Sequence, residues 1–154
     1  MSRRPSKLPP FVALTWEMLN HPAYIRLPAS AKGMLPYFIG KVRAGVREPA
    51  HYTTRFDFTY SEALRYGCAR RTFFNVIDAL VLHGFIDPVE KGGLRGTGQS
   101  SSMFRLSSRW KKYGAAGFQQ VSWSQFGQDQ VCRQVQKWHC IVAENELEKD
   151  VSNA

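Results

Sequence analysis

The chain has 154 residues, of which 44% are hydrophobic and 13% aromatic, enough to build one folded domain with a buried core. Its apolar stretches are far shorter than the roughly 20 residues of a membrane span, and no apolar run follows the basic N-terminus as a signal peptide requires. We therefore expect a cytoplasmic protein that is not inserted in a membrane.

Positive charge is concentrated in the first part of the chain. The formal net charge is +9, and 18 of the 21 Lys and Arg residues precede Gly114, against only 7 of the 12 Asp and Glu residues. Such a surface favours a polyanionic partner, because each neutralised phosphate releases condensed counterions. Net charge alone is equally consistent with a basic protein whose charge only keeps it soluble. The positions of the charges must therefore distinguish this alternative from a polyanion-binding protein.

Residues 1–10 (MSRRPSKLPP) are predicted to form a flexible basic arm, since they combine Arg3, Arg4 and a lysine with prolines that resist folding. Such an arm can lie along a DNA groove. Short basic termini are also often idle, and composition does not separate the two interpretations.

Two helices are predicted next. Thr15 is placed to cap a short helix from Trp16 to Asn20. Pro28 then opens a longer helix whose apolar residues recur at the helical period and which is expected to end near Gly45. Pro36 lies inside this helix and is expected to kink or divide it, because proline lacks an N–H and clashes with the preceding turn.

The middle of the chain predicts a connector, a strand and a short helix. Residues 48–55 have the composition of a polar connector, and residues 56–60 (FDFTY) alternate as a short strand does. Ser61 is then predicted to cap a helix of under two turns that Gly67 ends.

The segment from Ala69 to His83 has the strongest helical pattern in the chain. Its apolar residues fall at i, i+3, i+4 and i+7, a stripe wide enough to be buried: Phe73, Val76, Ile77 and Leu80. Gly84 supplies the C-terminal stop.

After Gly84 the pattern changes to that of strands. Residues 85–89 and 103–106 are predicted strands, joined by a Gly/Ser-rich loop at 90–102. Two helices with a tight turn, followed by a strand-loop-strand hairpin, are typical of a winged helix. We therefore predict an α+β, mainly α fold: a winged helix-turn-helix domain over residues 11–113 with a two- or three-stranded β wing.

Residues 114–154 are predicted to form a glutamine-rich linker and a C-terminal helical extension. One helical face over residues 128–148 carries four apolar side chains: Val131, Val135, Trp138 and Val142. This amphipathic helix is a candidate surface for a homodimer or another partner.

The residue order from Leu64 to Ile86 (LRYGCARRTFFNVIDALVLHGFI) resembles the helix-turn-helix of bacterial winged-helix proteins. Gly67 stands at the glycine of the turn, Cys68 at the small N-cap position that usually holds serine, and Thr72 early in the second helix. More widely, residues 11–113 resemble the N-terminal winged-helix module of phage and prophage replication-initiation proteins. That resemblance lies in MLNHPAYIRLPASAKGML, FDFTYSEA and MFRLSSRWKKYG, and it implies DNA binding at a plasmid- or phage-type replication origin.

The predicted second helix exposes a face suited to the DNA major groove. With the apolar stripe turned inward, the residues expected to contact DNA are Arg70, Arg71, Thr72, Phe74 and Asn75. Arginine can fork onto guanine, asparagine onto adenine, and an apolar ring can meet a thymine methyl. Phosphate contacts are expected from the wing and the basic end of its return strand: Lys91, Arg95, Arg109, Lys111 and Lys112.

We expect no enzyme, cofactor or metal site. Gly93 to Ser100 matches the phosphate-binding loop pattern except that Gln99 replaces its lysine, and the loop leads into a strand where that motif requires a helix. Cys132 and Cys140 lack a matched pair at metal-binding spacing, and an odd number of cysteines without a secretion signal makes a disulfide framework improbable.

Two alternatives to a replication protein stay open at this point. A transcriptional regulator of the winged-helix type would use the same fold and the same contacts. A protein-interaction adaptor would instead use the C-terminal helix at 128–148, with the winged helix as a scaffold.

Overall fold

The computed structural model describes residues 9–92, 94–95, 98–99 and 101–126, with backbone alone at 94–95 and 98–99. The helices are α1 (Trp16–Leu19), α2 (Pro22–Ile25), α3 (Ala29–Gly40), α4 (Ala50–Thr53), α5 (Tyr60–Arg65), α6 (Arg70–Leu82) and a 3₁₀ turn (Arg109–Lys112). The strands are β1 (Phe56–Asp57), β2 (Ile86–Glu90), β3 (Leu94–Arg95), β4 (Gly98–Gln99) and β5 (Met103–Leu106). An α+β, mainly helical fold is thus confirmed. Among the described helices, none is long and apolar enough to cross a bilayer.

The main sheet has three antiparallel strands in the order β1-β5-β2. Phe56 pairs with Phe104, and Ile86 pairs with Leu106. The register between β2 and β5 shifts after Pro88, which lies in the edge strand β2, a position where proline is tolerated. Beyond this irregularity β3 pairs with β4 as a separate two-stranded ribbon.

The core is aromatic and joins the helices to the sheet. Phe38 of α3 is fully buried, and its ring stacks on Phe58 with a centroid distance of 4.3 Å. The rings of Phe73 on α6 and Phe104 on β5 lie 6.3 and 6.1 Å from the Phe38 ring. Because α6 packs on this cluster through one side only, its other side faces outward.

The first helices match the prediction in part, since α1 lies within the predicted range whereas α2 was not predicted. Thr15 caps α1, and its Oγ1 accepts a hydrogen bond from the N–H of Met18 at 3.3 Å. Pro28 precedes α3, which runs without division through Pro36, where flanking core residues offset the lost hydrogen bond. The predicted end near Gly45 is wrong, because α3 ends at Gly40. Glycine has a low helix propensity, which favours an end at that residue.

Two elements between α3 and α6 differ from the prediction. The segment 48–55 is not simply a connector, since it contains α4, whose His51 is buried with its Nδ1 2.9 Å from the carbonyl oxygen of Ala44. The strand at 56–60 ends at Asp57, and α5 is capped by Thr59, not by Ser61. Thr59 is the N-cap residue because it forms a reciprocal capping box with Glu62, and this pair of hydrogen bonds satisfies two backbone N–H donors.

The start of α6 also differs from the prediction in its cap. Ala69, not Cys68, is the N-cap residue, and it offers no side-chain acceptor. Cys68 instead closes the turn, donating its N–H to the carbonyl of Ala63 at 2.9 Å, with a buried free thiol. Burial raises the pKa of the Cys68 thiol. The predicted stops are confirmed: Gly67 and Gly84 have φ of +80° and +83°.

A C-terminal segment belongs to the same compact unit, which extends to Trp123, beyond the predicted boundary at Tyr113. Trp123 is buried, and its ring lies 5.3 Å from that of Phe104. The predicted helix at 128–148, with Cys132 and Cys140, lies outside the described residues.

Candidate nucleic-acid interface

The outward face of α6 carries the side chains that were expected to contact DNA. Arg70, Arg71, Phe74 and Asn75 are exposed, and Thr72 is half-buried. On the opposite face Phe73, Val76, Ile77 and Leu80 are all buried. The amphipathic stripe therefore fixes which side of the helix is open to a partner.

The first turn of α6 is strongly electropositive. Its N-cap provides no side-chain acceptor, and the turn contains no acidic residue. The helix dipole adds partial positive charge there, so placing Arg70 and Arg71 at this end costs stability in the free protein. A bound phosphate would reverse that cost, because it meets both the guanidinium groups and the free backbone N–H groups.

Helix α5 supports the same face from one side. Glu62 forms an ion pair with Lys41 of α3 and accepts a hydrogen bond from the N–H of Thr59 at 2.9 Å. Burial disfavours the charged form of Glu62, but the hydrogen bond and charge of Lys41 together with the bonds from Thr59 outweigh it and hold the pKa of Glu62 below its usual value. The start of α5 is thus anchored to α3.

Two residues of α5 that the sequence analysis did not single out belong to this surface. Tyr60, the first residue of α5, is 38% exposed, and the Cζ atom of Arg70 lies 5.5 Å from the centroid of its ring. Arg65 is exposed in the last turn of α5 and adds a further positive charge. The capping pattern Thr-x-x-Glu at 59–62 was the available signal, because it places Tyr60 and not Ser61 at the start of the helix.

Arg109 does not join this surface. Its Nε donates to Asp87 Oδ1 at 2.6 Å, and Nη1 donates to the carbonyl of Gln119 at 2.8 Å. Its Nη2 donates to the carbonyls of Val81 and Ile86 at 2.9 and 3.3 Å. With four of its five N–H donors engaged in holding the end of α6, β2 and the C-terminal segment together, we leave Arg109 out of the proposed interface.

Lys91, at the base of the predicted wing, is also engaged within the fold. Its Nζ donates to the carbonyl of Trp123 at 3.2 Å and lies 4.9 Å from the centroid of the Trp123 ring. Lys91 thus joins the segment before Ser124 to the end of β2. Its contact with phosphate stays a prediction.

The remaining predicted phosphate contacts divide into described and undescribed residues. Lys111 and Lys112 are both exposed, and the Nζ of Lys111 lies 3.8 Å from Glu17 Oε1, a distance typical of a weak surface pair. The side chain of Arg95, and Arg3 and Arg4 of the predicted arm, lie outside the described residues.

Among the residues that the structure describes, His, Cys, Asp and Glu side chains form no group of three that could hold a metal ion. His51 and His83 each place Nδ1 within 2.9 Å of a backbone carbonyl, and the Nδ1 of His21 accepts the N–H of Ala23 at 3.2 Å. His51 and His83 thus join separate backbone segments, and His21 caps the start of α2.

Comparisons of the chain with protein-family models, with curated proteins and with solved structures gave no match.

Proposed function

We propose that this chain binds double-stranded DNA as a winged helix-turn-helix protein. In this proposal α5, the turn at Gly67 and α6 form the helix-turn-helix, and β2 with β5 forms the wing. The observation that carries the proposal is the outward face of α6, where Arg70, Arg71 and Asn75 are exposed opposite a buried apolar stripe.

These side chains suit the edges of base pairs in a major groove. A guanidinium can donate two hydrogen bonds to guanine O6 and N7, and the Asn75 amide can both donate to and accept from adenine. Phe74 is 47% exposed, which costs hydrophobic free energy in the unbound protein and leaves an apolar surface for a thymine methyl. Arg65 and Lys112 add exposed positive charge for the phosphate backbone.

The biological role that we propose is binding at a phage- or plasmid-type replication origin. Support for this role comes from the sequence resemblance to phage and prophage replication-initiation modules over residues 11–113. The exposed side chains of α6 support binding to any DNA duplex. Binding at a replication origin is the more specific proposal, and its support is the sequence resemblance.

The test begins with selection of duplexes from a random-sequence pool by the full-length protein. Affinities for the enriched duplex and for a scrambled duplex are then measured by fluorescence anisotropy at several salt concentrations. The key variant is Arg70→Ala with Arg71→Ala. A charge-matched control is Arg26→Ala with Arg47→Ala, which also removes two exposed arginines. Arg26 follows α2, whose Ala23 carbonyl contacts His83 at the far end of α6 from Arg70.

We expect the wild type to prefer its enriched duplex and to lose affinity steeply as salt rises. The α6 double variant should reduce the preference by at least about tenfold, since each bidentate arginine discriminates by about 1–3 kcal/mol. The control should leave the preference unchanged. The proposal is wrong if no sequence is enriched, or if both double variants reduce the preference equally.

A further inference from the structure

We infer that Tyr60 is a positioning residue that sets the orientation of Arg70 and thereby part of the sequence preference. The inference rests on the proposed function, because it deepens the role of the same face. Its basis is the contact between the first residue of α5 and the first residue of α6, with the Arg70 Cζ atom 5.5 Å from the centroid of the Tyr60 ring. This distance lies within the range of a cation–π interaction.

The start of α5, which carries the Tyr60 ring, is held in place by contacts with neighbouring residues. Thr59 and Glu62 form the capping box that starts α5, and the Glu62 carboxylate pairs with Lys41 of α3. The helix start that carries Tyr60 is therefore fixed to the core-forming helix, and the side chain itself has only two torsions to order. The ring offers the arginine a surface of defined position.

A contact with the Tyr60 ring lowers the entropy cost of ordering the Arg70 side chain, and this cost is larger for arginine than for most residues. A free arginine side chain loses roughly 2 kcal/mol of rotamer entropy when it is held in one geometry. A contact with the face of a ring uses no hydrogen-bond acceptor, so the N–H donors of Arg70 remain available for a base. This contrasts with Arg109, whose donors are used by four acceptors inside the fold.

Arg71 offers an internal comparison. It is the next residue on the same helix and equally exposed, but within the described ranges no aromatic ring lies against its guanidinium. Tyr60 therefore pre-organises one of two adjacent arginines, and a change at Tyr60 should act on sequence preference through Arg70 alone.

The experiment compares full-length variants in the two-duplex anisotropy assay. Tyr60→Leu removes the ring, whereas Tyr60→Phe and Tyr60→Trp keep an aromatic face at the same position. Arg70→Ala and the double variant Tyr60→Leu with Arg70→Ala complete a double-mutant cycle. The Arg70 side-chain proton shifts in NMR spectra report directly whether a ring current acts on the guanidinium arm.

We expect Tyr60→Leu to lower the preference for the enriched duplex about two- to fivefold, the effect of an exposed cation–π contact. Tyr60→Phe and Tyr60→Trp should keep the wild-type preference, and Tyr60→Leu should have no further effect once Arg70 is alanine. The salt dependence of Tyr60→Leu should equal that of the wild type, because no cation is lost. The ring-current shift should vanish only in Tyr60→Leu.

The outcomes of the experiment distinguish failure of the positioning role from failure of the proposed function. If Arg70→Ala lowers the preference but Tyr60→Leu does not, or if Tyr60→Trp behaves as Tyr60→Leu does, the positioning role is wrong and the proposed function stands. If Tyr60→Leu lowers the preference further in the Arg70→Ala background, Tyr60 contacts DNA itself and the inference is overturned. If Arg70→Ala leaves the preference intact, the inference fails, and the assignment of α6 as the reading helix then depends on the double variant Arg70→Ala with Arg71→Ala.

Discussion

Gly84, the glycine that ends α6, gives a test of how closely the 3₁₀ turn packs against the end of that helix. Gly84 has φ of +83°, and a Cβ atom added there would lie 2.7 Å from the backbone nitrogen of Trp110 and 2.9 Å from the Cβ of Arg109. Gly67 has a matching φ of +80°, but an added Cβ would meet nothing within 4 Å. Gly67→Ala therefore reports the cost of the left-handed backbone alone, and Gly84→Ala reports that cost plus the steric one.

The expected magnitudes differ accordingly. A non-glycine residue in the left-handed region costs about 1–2 kcal/mol, which is the whole expected loss of unfolding free energy for Gly67→Ala. In Gly84→Ala the clash adds about 1–3 kcal/mol, because the neighbours are backbone and Cβ atoms that no rotamer change can move away. The 3₁₀ turn is also held in place, since the Trp110 N–H donates to the Gly84 carbonyl at 3.0 Å.

Urea unfolding followed by far-UV circular dichroism measures both variants against the wild type. A loss of about 2–5 kcal/mol for Gly84→Ala, the sum of the two costs, would be a large part of the 5–15 kcal/mol that a domain has available. Equal losses for the two variants, within about 0.5 kcal/mol, would refute the close approach of the 3₁₀ turn to the end of α6.

Two further predictions concern stability. Glu62→Gln should lower the unfolding free energy by about 1 kcal/mol at pH 7, through loss of the charged cap and its ion pair with Lys41. Because the pKa of Glu62 is lowered in the fold, this contribution is present above the usual carboxyl pKa and disappears as pH falls through the lowered folded value. The urea midpoints of the two proteins should therefore converge as the pH falls below that range, and a constant gap would contradict the prediction. Relative to a chain truncated after Phe126, truncation after Tyr113 should lower the thermal midpoint by several degrees, since it also removes buried Trp123 and the Gln119 carbonyl that Arg109 binds. Equal midpoints of the two truncated chains would show that residues 114–126 are dispensable.

Periodicity in the sequence was sufficient where an element is long and amphipathic. The apolar stripe of α6 predicted both the helix and its buried face, Gly84 predicted the end of α6, and Gly67 predicted the end of α5. The exposure of Arg70 and Arg71 followed directly, because a helix that buries one stripe must present the other.

Short elements were predicted less well, because several local patterns compete there. FDFTY alternates as a strand does, and this obscured the capping box that begins at Thr59. The four-residue helix α4 has no periodicity to detect, and its position depends on the buried His51 contacting Ala44.

The roles of Arg109 and Lys91 could not be read from composition. Both are basic residues beside a predicted wing, and the acceptors that they bind come from up to 32 residues away in the chain. A charge that serves the fold and a charge that serves a ligand have the same sequence signature, and only the positions of the acceptors distinguish them.

The strand order has a consequence for synthesis of the protein. The central strand β5 is the last strand of the sheet to leave the ribosome, so a nascent chain that ends before Met103 presents β1 and β2 with no strand between them. Such unpaired edges associate readily with other chains. A message truncated upstream of the Met103 codon should therefore yield an aggregating or degraded product, because the chain lacks the central strand β5.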